Sequence, residues 1–106
     1  MISRQERAVK ILAIEHEVPG STDDQFQPHL KAEARRVWAL VQEGVIREAY
    51  FDRDAHVAVL MLECDDVADA SIVLDTLPLV RAGLITFELR PLIPYSGYSR
   101  LFTESD

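Results

Sequence analysis

The chain has 106 residues, of which 11 are Lys or Arg and 18 are Asp or Glu, giving a net charge of −7 and a pI near 4.8. This length corresponds to a single domain, residues 1–106. The acidic balance and the scattered basic residues argue against a nucleic-acid partner. No stretch approaches the ~18 apolar residues of a membrane span, and residues 1–10 lack the long apolar segment of a secretion signal. We therefore expect a cytoplasmic protein without a membrane partner.

The cysteine and histidine content gives no sign of a disulfide or a metal site. Cys64 is the only cysteine, so the fold does not depend on an oxidising compartment. We expect Cys64 to be a buried apolar side chain at the end of a strand. His29 and His56 show no metal-ligand spacing with each other or with Cys64. The sequence thus predicts no bound metal.

The first half of the chain contains one predicted strand and one predicted helix. Residues 1–7 are polar, and we expect them to be flexible. A strand over residues 8–18 ends at Pro19 and Gly20, where a polar loop begins. A helix then starts near Pro28 and ends before Gly44. Its apolar stripe consists of Leu30, Ala34, Val37, Trp38 and Val41.

The second half contains a hairpin, a helix and a last strand. Residues 45–51 form a strand that leads through a short turn into a third strand, beginning at Val57 and ending near Cys64. Asp66 and Asp69 resemble a capping pair for a second helix, which Pro78 ends or bends. Residues 84–90 then alternate apolar and polar side chains, as a half-buried strand does.

Two of these strands are apolar on both faces. In residues 9–14 and 57–62, apolar side chains occupy nearly every position. Two helices cover only one face of a four-stranded sheet, and leaving about six apolar side chains of the other face in water would forfeit roughly 1.5–3 kcal/mol each. That loss rivals the whole stability of a small domain, ~5–15 kcal/mol. We therefore expect a second copy of the chain to cover this face, in a homodimer or a higher homo-oligomer.

The order of elements predicts the fold class. Strand, helix, strand, strand, helix, strand is the βαββαβ arrangement of ferredoxin-like α+β domains, with a four-stranded antiparallel sheet. Strands 1 and 3 are central in that arrangement, and they are the two strands with two apolar faces. Two such sheets packed face to face form a dimeric α+β barrel.

The C-terminal tail, residues 91–106, is unusually apolar. We expect residues 91–102 to lie as a strap over the partner subunit, the alternative being that they pack on their own sheet edge. Tyr95 and Tyr98 would bury their rings and hydrogen-bond through their hydroxyls. Tyr95 is therefore also a candidate substrate-binding residue, and residues 103–106 are expected to be disordered.

Several polar side chains stand out as candidates for chemistry. His16 lies at the end of a strand between Glu15 and Glu17, and neighbouring carboxylates raise the pKa of a histidine. Glu88 and Glu63 occur in or near buried strands, where a carboxylate must be solvated, paired or functional.

Two aromatic residues are candidates for the wall of a binding pocket. Tyr50 lies in the second strand, and Trp38 lies in the first helix. Trp38 also fits the apolar stripe of that helix, where its role would be packing.

Part of the sequence resembles a known family. Residues 44–79 begin Gly44, Val45, Ile46, Arg47 and end Leu77, Pro78, Leu79; in spacing and type they resemble muconolactone isomerase and its relatives. The segment Leu30, Lys31, Ala32, Glu33 is similar to the start of that family's first helix. Residues 77–95 resemble an uncharacterised branch of the same family, so that the resemblance spans most of residues 8–102.

The resemblance implies a cofactor-independent isomerase. Such an enzyme moves a proton from one carbon of an unsaturated lactone to another, using a base and a group that stabilises an enolate-like intermediate. Matching positions make Glu33, Lys31 and Arg47 candidate catalytic residues, beside His16 from the strand pattern. Which of them holds the proton stays open. Lys31 and Glu33 are two residues apart on a helix, so they point in different directions.

Three classes of function remain open at this stage. The first is the isomerase, acting on a small organic acid or lactone. The second is a non-catalytic protein of the same fold that binds a small ligand or serves in an assembly. The third is a cofactorless oxygenase of aromatic compounds, since such enzymes share the barrel.

Overall fold

A computed structural model describes residues 8–103, in which four strands and four α-helices follow one another along the chain. In order they are β1 (Val9–Glu17), α1 (Asp23–Phe26), α2 (Leu30–Gln42), β2 (Ile46–Phe51), β3 (Ala58–Cys64), α3 (Val67–Leu74), α4 (Pro78–Arg81) and β4 (Ile85–Leu92). Two 3-10 helices, Gln27–His29 and Ser96–Phe102, complete the set. Residues 1–7 and 104–106, expected to be flexible or disordered, lie outside the described residues.

The strands form one antiparallel sheet in the order β2-β3-β1-β4. This order places β1 and β3 in the centre, as the ferredoxin-like order of elements predicts. The chain is thus an α+β domain with an open four-stranded sheet, compatible with a ferredoxin-like fold. Gly44 ends the α2 region with φ of 80°, the left-handed conformation expected after a helix.

The predicted boundaries of three elements need correction. The polar loop expected after Gly20 contains α1, because Thr22 and Gln25 form a capping box there, with Thr22 N donating to Gln25 Oε1 at 2.8 Å. The second predicted helix ends at Leu74, and Pro78 instead begins α4, where a first-turn position requires no N–H. The last strand continues to Leu92; it tolerates Pro91 because β4 is an edge strand.

The helices cover one face of the sheet, called here the inner face. Its central side chains are fully buried beneath α2 and α3; they are Ile11, Ala13, Leu60 and Leu62, packed with Leu40, Ala70, Leu74 and Leu77. Cys64 belongs to the same core and is buried, as the sequence predicts. Burial raises the pKa of its thiol, which favours the uncharged form.

The opposite face of the sheet, called here the outer face, has an apolar centre that none of the described helices covers. Leu12 pairs with Met61, and Ile14 pairs with Val59 across the two central strands. All four side chains are only half-buried. The central strands are therefore apolar on both faces, as the sequence indicates.

The C-terminal tail does not pack its apolar side chains on the sheet edge. Ile93 is 87% exposed and Phe102 is 85% exposed. The rings of Tyr95 and Tyr98 contact each other edge to face, with centroids 4.9 Å apart, and both remain exposed. The strap over a partner subunit stays a prediction.

The helices of residues 8–103 are either too short or too polar to cross a lipid bilayer.

Two isoleucines test where the core lies. Ile11 is fully buried in the inner face, whereas Ile72 on α3 is 67% exposed. We expect Ile11→Ala to lower the free energy of unfolding by about 2–5 kcal/mol, because it leaves a cavity. The matched Ile72→Ala change should alter it by no more than about 0.5 kcal/mol. Urea unfolding measures both, and equal effects of the two changes would contradict this description of the core.

Candidate functional site

A cavity of about 780 Å³ lies between α2 and the inner face of the sheet. The ends of β1 and β3, the facing part of β2, α1 and the start of α4 form its other walls. Its volume falls in the range of small-molecule sites, about 300–1,000 Å³. The cavity is therefore the candidate functional site.

The apolar stripe of α2 forms one wall of this cavity, and two of its residues, Val37 and Val41, also pack against the core. All five residues of the predicted stripe line the cavity: Leu30, Ala34, Val37, Trp38 and Val41. Of the whole helix only Leu40 is fully buried. Trp38 is 61% exposed and lies among the lining residues, so it does not pack in the core.

Glu15 brings a carboxyl group into the cavity from β1. It lies on the same face of the strand as Ile11 and Ala13, and it is only 8% exposed. Its Oε1 accepts a hydrogen bond from the backbone N–H of Ala58 at 2.8 Å. Burial raises the pKa of Glu15 above its usual value; the hydrogen bond opposes this effect.

Glu33 brings a second carboxyl group from the first turn of α2. Its Oε1 accepts a hydrogen bond from the backbone N–H of Leu79 at 2.9 Å, and so supplies the cap that the start of α4 otherwise lacks. Burial raises the pKa of Glu33, and the charge of Glu15 raises it further, against the lowering effect of the hydrogen bond.

The two carboxyl groups are electrostatically coupled. When two carboxyls interact in a partly desolvated site, one tends to keep its proton while the other ionises. Within residues 8–103, both groups use Oε1 to accept their hydrogen bonds. Among the described residues each Oε2 has no hydrogen-bond partner, so it is the oxygen that can exchange a proton with a bound molecule.

His56 lines the cavity from the turn between β2 and β3. It has φ of 56°, an unusual conformation for a residue other than glycine. Its ring stacks on Phe51 with centroids 4.5 Å apart and an angle of 20° between the planes. Its charge lowers the pKa of Glu15, so the two groups are electrostatic neighbours. His56 thus adds a donor to the site.

Three of the residues proposed from the sequence line the cavity: Glu33, Trp38 and Tyr50. The Tyr50 hydroxyl donates to Glu48 Oε1 at 2.6 Å, and the negative charge of Glu48 raises its pKa. The Tyr50 hydroxyl is therefore hydrogen-bonded to a side chain that does not line the cavity.

The other five proposed residues do not line the cavity. His16 and Glu88 lie on the outer face, with His16 Nε2 and Glu88 Oε1 3.1 Å apart. Arg90 also bonds Glu88, and these two partners lower the pKa of Glu88. Arg47 pairs with Glu63, Nε to Oε1 at 3.9 Å. Lys31 is exposed on α2, and Tyr95 is exposed in the tail.

Glu15 and His56 were not identified as site residues from the sequence. The sequence signal for Glu15 is the alternation of side chains along a strand. Ile11, Ala13 and Glu15 share one face, whereas His16 faces the other way. That signal is ambiguous while both faces of β1 are apolar, since the sequence does not say which face the helices cover. For His56 we find no sequence signal beyond the residue type.

Comparison of the sequence with protein-family models found no match, and comparison with curated proteins found none either. In the described part of the chain, no group of three or more His, Cys, Asp or Glu side chains has the arrangement of a metal site.

The raised pKa values predict how stability depends on pH. A carboxyl whose folded pKa is raised favours folding while protonated, and this stabilisation is lost as pH rises from the ordinary Glu value, about 4.3, through the folded value. Glu15→Gln and Glu33→Gln remove that titration. We therefore expect each variant to gain stability relative to the wild type as pH increases from 4 to about 7.

Thermal unfolding across this pH range measures the effect, with Glu43→Gln as the control for loss of one charge at an exposed helix end. A stability difference for Glu15→Gln or Glu33→Gln that does not change with pH would contradict the assigned environment.

Proposed function

We propose that this protein is a cofactor-independent isomerase that transfers a proton between two carbons of a small unsaturated ring compound, with Glu15 and Glu33 as its acid/base pair. The observation that carries the proposal is the presence of two coupled carboxyl groups with raised pKa values in one largely apolar cavity. Perturbed titratable groups in a cavity are a recognised mark of catalytic sites.

The proposal assigns one role to each carboxyl. Burial raises the pKa of both groups, and the charge of ionised Glu15 raises the pKa of Glu33 further, so in this assignment the pair keeps its proton on Glu33. In the proposed reaction, the Glu15 carboxylate removes a proton from the ring carbon beside a carbonyl. Protonated Glu33 donates a hydrogen bond to the carbonyl oxygen as negative charge develops there. Glu15 then returns the proton to the far end of the resulting dienolate, so that only the position of the double bond changes.

The resemblance to muconolactone isomerase supports the reaction class and the involvement of Glu33. It also implied Lys31 or Arg47 as a cation for the intermediate, and neither residue lines this cavity. The proposal therefore assigns stabilisation of the intermediate to protonated Glu33, with His56 as the neighbouring donor.

A non-catalytic binding protein is the second candidate function, and a specific observation favours it. Glu15 and Glu33 each accept a hydrogen bond from a distant backbone amide, so both have a structural role that does not require catalysis. Such a protein would bind the same ligands in the cavity without converting them.

The isomerisation of α-angelica lactone to β-angelica lactone tests the proposal, because it moves one proton on an unsaturated lactone ring. We expect catalysed conversion, followed by proton NMR. Glu15→Gln and Glu33→Gln should each lower kcat/KM by at least about 100-fold, in line with loss of a general acid or base. Glu43→Gln should leave it unchanged. Binding of the lactone without turnover would favour the second candidate, and unchanged rates in both cavity variants would refute the assigned roles.

We also propose that the outer face of the sheet packs against the outer face of a second copy, as the strands with two apolar faces predict. Half-buried apolar side chains occupy its centre. Its margins each carry both signs of charge, with Glu88 and Arg90 along β4 and Arg47 and Glu63 on the β2–β3 side. A two-fold axis can place opposite charges together at such margins. The exposed tail would then find cover on the partner.

A matched pair of isoleucine variants tests the dimer. Ile14 lies in the centre of the outer face, whereas Ile72 lies on the exposed side of α3. We expect Ile14→Lys to convert a dimer to a monomer, because it would bury an unpaired ammonium group in an apolar interface. Ile72→Lys should keep the dimeric mass. Light scattering measures both, and a wild-type monomer or a dimeric Ile14→Lys protein would contradict the proposal.

A further inference from the structure

The acidic side chains that line the cavity outnumber the basic ones. Four carboxyl groups contribute to its walls: Glu15, Glu17, Asp23 and Glu33. Of the described residues that line it, none is Lys or Arg, and His56 is the one basic side chain. The candidate cations that the resemblance implies, Lys31 and Arg47, do not line this cavity.

Two of these carboxyl groups, Glu17 and Asp23, are exposed at the cavity. Within residues 8–103, neither forms an ion pair or a side-chain hydrogen bond. The charge of Glu17 reaches into the site, since it raises the pKa of Glu15. A ligand thus lies near the buried carboxyl groups of Glu15 and Glu33 and near the exposed carboxyl groups of Glu17 and Asp23.

A ligand carboxylate would be disfavoured here for two reasons. It would lose hydration on entering the cavity without gaining the Arg or Lys partner that usually replaces that hydration. It would also be repelled by the carboxylates already present, in surroundings that screen charge less than bulk water does. An uncharged ring loses no carboxylate hydration and is not repelled by these charges. It also gains contact with the apolar stripe of α2 and with Phe26 and Phe51.

We infer that the cavity selects an uncharged, unsaturated ring compound, such as a lactone or ketone without a carboxylate group. A cationic ligand would satisfy the negative charge, but it would also favour ionised Glu33 and remove the proton that the carbonyl oxygen requires. The choice of an uncharged lactone or ketone rests on the proposed function. The rejection of carboxylates rests on the charges of the cavity alone.

A matched pair of ligands separates charge from shape. The probes are 5-(4-carboxyphenyl)furan-2(3H)-one, which is an anion at neutral pH, and its methyl ester, which carries the same rings without the charge. Isothermal titration calorimetry on the whole protein measures binding, whether or not turnover follows. We expect the ester to bind at least tenfold more tightly than the acid, and added salt to reduce the difference.

A double variant locates the source of the selection. Glu17→Gln with Asp23→Asn should raise the affinity for the acid at least threefold relative to the affinity for the ester. The matched control, Glu43→Gln with Asp75→Asn, removes the same net charge from exposed positions that do not line the cavity. It should leave both affinities unchanged.

The outcomes distinguish this inference from the proposed function. Equal or tighter binding of the acid, failure of both probes to bind, or an equal effect of the control pair would overturn the inference. Preferential binding of the ester without isomerisation would uphold the selection of uncharged rings while refuting the isomerase. Isomerisation of both probes with equal affinity would refute the selection and leave the isomerase standing.

Discussion

The pairing of β1 with β3 is the constraint on which the other parts of this structure depend. These two strands form the centre of the sheet, and their inner side chains provide the surface on which α2 and α3 pack. The β1–β3 pairing ends at Ile14 and Val59. At the next position the backbone N–H of Ala58 donates a hydrogen bond to the Glu15 side chain. The site thus begins at the point where regular pairing of the central strands stops.

The cavity exists because the core is concentrated on one part of the inner face. Leu40, Leu74 and Leu77 fill the space above the central strands. The apolar stripe of α2 lines the cavity beside them, and Val37 and Val41 of that stripe also pack against this core. An amphipathic helix is usually explained by burial against the core. Here the same pattern provides an apolar wall for a ligand. Exposure of this helix surface to water is unfavourable, and a bound molecule would reduce the exposed apolar area.

The two carboxyl groups combine structural and chemical roles. Each satisfies a backbone amide far away in the chain, which holds its Oε1 in place. Partial burial then favours the protonated form of both groups, and the charge of Glu15 adds to this effect at Glu33. The proposed proton transfer between two carbons uses one carboxyl as the base and the other as the hydrogen-bond donor.

The sequence by itself determined the order of the four strands and the two longer helices, α2 and α3, the antiparallel arrangement with β1 and β3 in the centre, and the two apolar faces of those strands; it did not show the short helices α1 and α4. Periodicity, turn residues and strand alternation carry that information locally. The choice of site residues depended on tertiary structure. Periodicity shows that Glu15 and His16 face opposite ways, but only the packing of helices shows that Glu15 faces the cavity. Likewise Ala58 lies 43 residues from Glu15 and Leu79 lies 46 residues from Glu33, separations that no local pattern spans.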